Sequence, residues 1–379
     1  MSGTAAPSAT TPPFRADHVG SLLRPPEVLK AREDHKAGRI NAAALRKIED
    51  AAIRDIVAMQ LEVGLESATD GEFRRGSWHM DFLYQVGGVT KVQDNLKVQF
   101  RNEQGVVEFT PAALRVTGKL TLERCIFGED FQFLKSVATT TPKLTIPSPS
   151  MMHYRGGRAA IDDGVYPDLA GFWHDLGEVY ADEIAALGRL GLTYLQLDDT
   201  SLAYLNDPAQ RDFVAKLGGS AESQHLVYIK LINAALAKKP RGMTVCVHLC
   251  RGNFRSSWVA SGGYDHVAEA LFGELGVDGY FLEYDDARSG GFEPLRFVPK
   301  GKRVVLGLVT TKRGALERKD DLKRRVDEAA KYIDIEQLCL SPQCGFSSTV
   351  DGNALSAEEQ RAKLRLIVET AREIWGHET

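Results

Sequence analysis

Eight short runs of β-branched and apolar residues recur along the chain, with amphipathic helical stretches between them. This alternation limits the fold more than any other feature of the sequence. The runs are FRADHVGS, ESATDGE, KLTIPSP, LTYLQLDD, TVCVHLC, YFLEYDD, RVVLGLV and EQLCLSP. Strands that alternate with helices form parallel sheets whose faces the helices cover. Eight such units predict an α/β fold of the (β/α)8 TIM-barrel type. A doubly wound open sheet is the alternative, because the pattern does not spell out strand order.

The helices are legible from apolar spacings of three and four. Asn41 to Val63 carries Leu45, Ile48, Ala52, Ile56, Met59 and Val63, and Gly64 follows as a stop. Asp168 to Leu190 carries Leu169, Phe172, Trp173, Leu176, Val179, Tyr180, Ile184 and Leu187 before Gly191. Further helices are predicted over Ser223–Lys238, Asp265–Leu275, Asp320–Ile333 and Ser356–Trp375. Residues of about 84–125 break the rhythm. There LKVQFRNEQGVVEF alternates around a polar, glycine-containing turn, which predicts a β-hairpin insertion after the second strand. The first 13 residues, rich in Pro, Ser, Thr and Ala, read as a disordered tail, leaving residues 14–379 as one domain.

Charge and composition remove several functions. The formal net charge is -4, with no basic stripe for nucleic acid and no polybasic cluster for a membrane surface. No apolar run approaches the ~20 residues of a membrane span. The N-terminus has no apolar signal core, so a cytoplasmic location is expected. Five cysteines in 379 residues do not make a disulfide framework, and reduced or metal-bound thiols are expected. P-loop, nucleophile-elbow and dinucleotide-binding motifs are missing.

Polar and reactive residues gather where the predicted strands end: HVGS, DGEF, LDD, HLC and EYDD. In a barrel the carboxyl ends of the strands form one rim, and chemistry collects there. Cys246, His248 and Cys250 are two apart and share one face of their strand. Alone, His248 and Cys250 would read as buried core residues. Two further strand ends change that reading, with Glu283 in FLEYDD and Cys344 in LSPQCGFSS. Two thiolates, an imidazole and a carboxylate form a four-ligand set suited to zinc.

HVGSLLRP, DGEFRRGSW, LQLDD, HLC, EYDD and SPQCG, in this order, resemble the catalytic barrel of cobalamin-independent methionine synthase, and most of all its short, single-barrel relatives. The resemblance runs from about Phe14 to Trp375. It implies Zn2+ held by His248, Cys250, Glu283 and Cys344, and methyl transfer to homocysteine to form methionine. It implies backbone N–H groups of Gly20 and Ser21 on the substrate carboxylate, and Glu72 and Asp198 on its ammonium. Cys246, Cys339 and Cys125 read as packing. Arg74 and Arg75 either pair with acids or contact a substrate anion. His18, Trp78, His79 and His153, near the predicted strand ends, read mainly as packing or hydrogen-bonding residues.

Three departures from the family bear on the methyl donor. A second barrel for polyglutamylated folate has no room here. IPSPSMMHYR replaces a Gly-Pro-Val-Thr motif with its following Trp. Lys312, in GLVTTKRG, stands where the family has a histidine proton donor. The donor is expected to be methyltetrahydrofolate or another carrier such as a corrinoid. Lysine, with a reference pKa of about 10.4, makes a poor acid for the folate nitrogen, which favours the corrinoid. Two other readings remain: an epoxyalkane:coenzyme M transferase-like thiol alkylation, and a non-catalytic zinc-binding module.

Overall fold

The computed structural model describes residues 11–93, 98–102, 105–110 and 112–376. Eleven strands occur among them: β1 (Ser67–Ala68), β2 (Gly87–Val92), β3 (Val98–Asn102), β4 (Gly105–Phe109), β5 (Ala113–Thr121), β6 (Thr141–Pro147), β7 (Tyr194–Asp199), β8 (Thr244–Leu249), β9 (Gly279–Glu283), β10 (Arg303–Val309) and β11 (Leu338–Pro342). Seven form one sheet in the order β1-β6-β7-β8-β9-β10-β11. Every pairing in it is parallel. The protein is thus an α/β fold built on a seven-stranded parallel sheet.

Strands β7, β9, β10 and β11 are buried at every residue. That is why they read as near-continuous apolar runs without clean alternation. Helices between the strands cover the sheet. The helix Ala42–Glu62 begins at Asn41, whose side chain accepts from Ala44 N–H. The helix Leu169–Arg189 begins at Asp168, which accepts from the N–H groups of Ala170 and Gly171. Ser356 and Glu359 form a capping box before the helix Ala357–Trp375. No helix among the described residues is long and apolar enough to cross a membrane.

Two predicted strands are shorter than expected. In ESATDGE only Ser67–Ala68 pairs as a strand. The reason lies in Gln60, whose amide bonds both backbone groups of Thr69: Thr69 N–H donates to Oε1 and Nε2 donates to Thr69 O, each at 2.9 Å. A side chain thereby takes the place of a strand neighbour. In FRADHVGS a single parallel bridge joins Ala16 to Leu340. Beyond it, Leu22 N–H donates to Gly71 O at 3.1 Å and Thr69 Oγ1 to Gly20 O at 2.6 Å. This segment therefore touches both β11 and the chain after β1.

Between β1 and β6 lie two antiparallel pairs, β2 with β5 and β3 with β4. Arg101 of β3 exchanges backbone hydrogen bonds with Trp258, at 2.7 and 2.9 Å, which ties the β3–β4 pair to the loop after β8. Of the expected N-terminal tail, residues 1–10 lie outside the described residues. Thr11 and Pro13 carbonyls accept from the buried Arg303 guanidinium. Cys246 and Cys339 pack with Phe14, Val19, Tyr194, Phe281 and Val305 in a small apolar cluster.

Candidate metal centre and substrate cavity

β8 and β9 end beside each other, and β11 runs into the turn that carries Cys344. The register of β7 on β8 sets Asp198 opposite His248. These strand ends bring His248, Cys250, Glu283 and Cys344 together, with one donor atom from each all within 4.8 Å of one another. The two sulfurs lie 3.5 Å apart. That is too long for a disulfide, which needs about 2.05 Å. It suits two thiolates on one tetrahedral ion with metal–sulfur bonds of about 2.3 Å.

His248 gives a second test of fit. Its Nε2 is buried without a hydrogen-bond partner, while Nδ1 lies 3.3 Å from Asp198 Oδ1. One ring nitrogen on a carboxylate and the other free is the arrangement of a metal-binding histidine. Glu283 is wholly buried; its Oε1 accepts from Arg251 N–H at 3.0 Å and its Oε2 from Arg288 Nη2 at 3.2 Å. The four groups shift one another's titration. The hydrogen bond from Cys250, helped by His248, pushes the Cys344 thiol well below its ordinary range, and the same bond pushes Cys250 up. Burial alone would lower the His248 pKa, but Asp198 and Cys344 outweigh it and raise the value to about 10. Burial, then the Cys344 charge, raises that of Glu283. Binding of a divalent cation to these groups would be linked to proton release.

A cavity of about 280 Å³ opens over the cluster, and Ser21, Glu72, Asp198, His248, Cys250 and Cys344 all line it. Glu72 has a left-handed backbone, φ +61°, uncommon for a side-chain-bearing residue. Arg24 braces it, donating to the carbonyls of Glu72 and Arg75 from one side of its guanidinium and to Ser347 and Thr349 from the other. Glu72 Oε1 accepts from Thr145 Oγ1 at 2.9 Å, and Oε2 is buried without a partner. Burial raises the Glu72 pKa to about 7; Arg75 opposes the shift and Asp198 adds to it. Gly20, at φ +139°, sits so close that a Cβ would lie 2.8 Å from Thr145 Cγ2. Among the described residues, the N–H groups of Gly20 and Ser21 donate no hydrogen bond within the protein.

Other expected residues are placed elsewhere. Arg74 pairs with Asp50, Asp130 and Glu49 and lies over the Phe133 ring. Arg75 bonds Thr145 through both terminal nitrogens and stacks on Phe127, behind Glu72. Neither lines the cavity. Lys312 is likewise absent from its lining, with Nζ 3.0 Å from Asp285 Oδ2. Of the two acids ending β7, only Asp198 faces the cavity. Asp199 turns back to accept from Ser150, Ser201 and Leu202 N–H. His18 and His153 hydrogen-bond Gln60 and Tyr228 away from the cavity, whereas Trp78 and His79 line it.

Sequence reasoning missed the aromatic part of the cavity lining. Phe100 and Phe109 of the β3–β4 pair meet Phe254, with ring centroids 5.3 and 4.6 Å from it, and Arg155 lies on the same lining. The apolar face of VQF and VEF was the available signal, since an alternating hairpin with aromatic residues on one face needs something to cover.

Soft and hard metal donors, converging where parallel strands end and facing a two-acid cavity, define a class of α/β proteins with a candidate metal centre built to meet a small polar ligand. The chain belongs to the cobalamin-independent synthase family: the family's catalytic-domain model matches residues 14–373. It is 48% identical over 365 residues to the uncharacterized protein YxjH of Bacillus subtilis, covering 96% of this chain and 95% of that one. A solved structure from Listeria monocytogenes, named after vitamin-B12 independent methionine synthase, is 38% identical with a TM-score of 0.74, covering 96% and 99% of the two chains. A B12-independent methionine synthase from Shewanella sp. W3-18-1, solved with selenomethionine, shares the fold at 20% identity and a TM-score of 0.69, covering 95% and 97%.

Proposed function

We propose that the protein is a cytoplasmic, zinc-dependent methyltransferase that forms methionine from homocysteine, with methyltetrahydrofolate or another carrier as donor. The observation that carries this reading is the cavity in which His248, Cys250 and Cys344, clustered with the buried Glu283, share one lining with two acids, Glu72 and Asp198. Zinc bound by His248, Cys250, Glu283 and Cys344 would keep an incoming thiol as thiolate near neutral pH. The protein's own residues orient the rest of the amino acid. The unpartnered Glu72 Oε2 and the nearby Asp198 suit its ammonium, and the free N–H groups of Gly20 and Ser21 suit its carboxylate. In the reaction the sulfur–carbon bond forms as the donor–methyl bond breaks. The electron pair leaves with the donor, and a nitrogen leaving group takes up a proton.

The family membership and the selenomethionine bound to the Shewanella protein support an amino-acid acceptor. Coenzyme M bears a sulfonate and no ammonium; the engagement of Arg74 and Arg75 outside the cavity weakens that alternative. We also propose that residues 14–22 act as the eighth stave of a closed (β/α)8 barrel, with β2 to β5 as an insertion. Contacts of this segment with β11 on one side and with Thr69 and Gly71 on the other support it. The direct test is zinc-edge absorption spectroscopy with homocysteine and with coenzyme M. A new zinc–sulfur contact with coenzyme M alone would overturn the acceptor assignment.

Asp198→Asn is expected to weaken homocysteine binding about ten- to hundredfold, the cost of a charge-assisted hydrogen bond of roughly 1.5–3 kcal/mol. Zinc affinity should fall less, because Asn can still accept from His248 Nδ1–H. Titration calorimetry for the amino acid and a competing chelator for the metal separate the two, and metal loss with unchanged homocysteine affinity would place Asp198 wrongly.

Methionine binding should depend on pH through Glu72. In the free protein burial sets its pKa to about 7, so below neutrality the carboxyl is protonated and meets the ammonium poorly. A bound ammonium lowers that pKa, so affinity rises as pH increases through 7 and levels off above it. Affinities measured from pH 5.5 to 8.5 should show this slope in the wild type and a flat profile in Glu72→Gln. Equal slopes in both would remove Glu72 from the site.

A further inference from the structure

The loops that follow β8 and β11 each carry a sulfur of the metal centre, Cys250 and Cys344, and one side chain joins them. Asn253, buried on the cavity lining, donates from Nδ2 to Gly345 O at 2.8 Å and to Ser348 Oγ at 3.2 Å. The loop that holds Asn253 is pinned. Arg255 and Ser256 have left-handed backbones, φ +47° and +62°. Ser256 N–H donates to Asn353 Oδ1 at 2.9 Å, and Ala354 N–H donates to Ser256 Oγ at 3.0 Å. Two adjacent side-chain-bearing residues in that region are costly and persist only where neighbours fix them. The Asn253 amide can face only one way. The Gly345 carbonyl only accepts, so the NH2 group lies beside it; reversal would set two acceptors 2.8 Å apart.

That orientation decides where the Ser348 proton goes. Ser348 Oγ accepts from Asn253, so its own O–H is left for its other partner among the described residues, the Cys344 sulfur at 3.6 Å. A sulfur that receives a hydrogen bond is a poorer nucleophile, because the rate at which a thiolate attacks follows its basicity with a slope of about 0.4–0.5.

We propose that Asn253 and Ser348 are positioning residues that keep the Ser348 proton on Cys344 and so shield this ligand sulfur from the methyl donor. The inference rests on the thiol-methyltransferase reading and deepens it. A methyl electrophile in this cavity meets Cys250 and Cys344 on the lining as well as the substrate thiol. Methylation of Cys344 would give a thioether, which no longer offers the thiolate that zinc binds.

The test measures methylation of both cysteines by methyl iodide in the full-length, zinc-loaded protein without homocysteine, read by mass spectrometry of the digested peptides. The sulfur–carbon bond forms as the carbon–iodine bond breaks, and iodide leaves with the electron pair. Cys250 is the internal control. Ser348→Ala should raise the rate at Cys344 relative to Cys250 about three- to tenfold, the share of one charge-assisted hydrogen bond that an attacking thiolate regains. Ser348→Thr keeps the hydroxyl and should match the wild type. Asn253→Asp accepts but cannot donate, so it should turn the Ser348 proton away from Cys344 and raise the same ratio. Zinc analysis and circular dichroism establish that the variants are loaded and folded; should Ser348→Ala not fold, Ser348→Gly takes its place. The proposal is overturned if the ratio in Ser348→Ala is that of the wild type, if Cys344 stays unreactive in that variant, or if Ser348→Thr raises the ratio as much. A rise shared equally by both cysteines also overturns it, because the whole centre has then opened. So does an unchanged ratio in Asn253→Asp, because the proton then keeps its place without Asn253. A wild type that holds no zinc counts against the ligand assignment alone. The ratio in the metal-free protein still decides this proposal, since the hydrogen bond is made to the sulfur itself.

Discussion

Zinc is expected at one ion per chain in protein purified without added metal, and Cys250→Ser, Cys344→Ser is expected to abolish it. The two sulfurs already sit 3.5 Å apart, and His248 Nε2 has no other partner, so the donors are placed before any ion arrives. Serine is nearly isosteric, but its hydroxyl is a far weaker ligand than a thiolate, so the double variant keeps two good donors of four. Metal analysis after dialysis against a mild chelator measures the outcome, with circular dichroism as the control for folding. Thermal melts add an independent readout. An ion bound only to the native state raises stability by RT ln(1 + [ion]/Kd), so added zinc should raise the melting temperature of the wild type and leave the double variant unmoved. Full zinc occupancy in the double variant would sink the assignment of all four ligands.

The second large effect concerns the floor of the sheet. Lys143→Met is expected to destabilise the protein by about 3–5 kcal/mol, the usual cost of removing one partner of a buried ion pair. Lys143 Nζ lies 3.2 Å from Asp17 Oδ1, and both side chains are shut off from solvent. Asp17 also accepts from Tyr194 OH at 2.8 Å and from the N–H groups of Phe14 and His18. Methionine fills the space of the lysine stem but leaves a buried carboxylate without its cation. Urea unfolding measures the loss, and a change below about 1 kcal/mol, the worth of an exposed pair, would show that the pair contributes little. The pH dependence gives a separate check. Burial would raise the Asp17 pKa, but Lys143 and His18 outweigh it and hold the carboxyl far below its ordinary range. A carboxyl whose folded pKa is depressed contributes stability above its unfolded pKa of about 4 and loses it as pH falls. The wild type should therefore lose stability steeply below that pH, and Lys143→Met should lose less over the same range.

Sequence alone marked the main elements and the candidate ligands at their ends. The three- and four-residue spacing marked the helices Ala42–Glu62 and Leu169–Arg189 to within a residue or two, because amphipathic periodicity and N-caps such as Asn41 and Asp168 are local properties. The alternation of strands and helices implied a parallel sheet. Ligand chemistry singled out His248, Cys250, Glu283 and Cys344, because few other roles call for two thiols, an imidazole and a carboxylate at three strand ends.

Tertiary structure decided what depends on contacts between distant segments. It cut the second strand to Ser67–Ala68, because the Gln60 amide occupies the backbone of Thr69. It turned Asp198 into the cavity and Asp199 away from it, a choice that two adjacent, identical residues cannot signal. It kept Arg74, Arg75 and Lys312 off the cavity lining, because each found a partner 24 to 70 residues away, Arg75 reaching Thr145 while lying 3.7 Å from Glu72 Oε1. It also put Arg155 and the β3–β4 aromatic residues on the cavity lining. A side chain's partner is set by packing across the whole sheet, and no local pattern of residues encodes it.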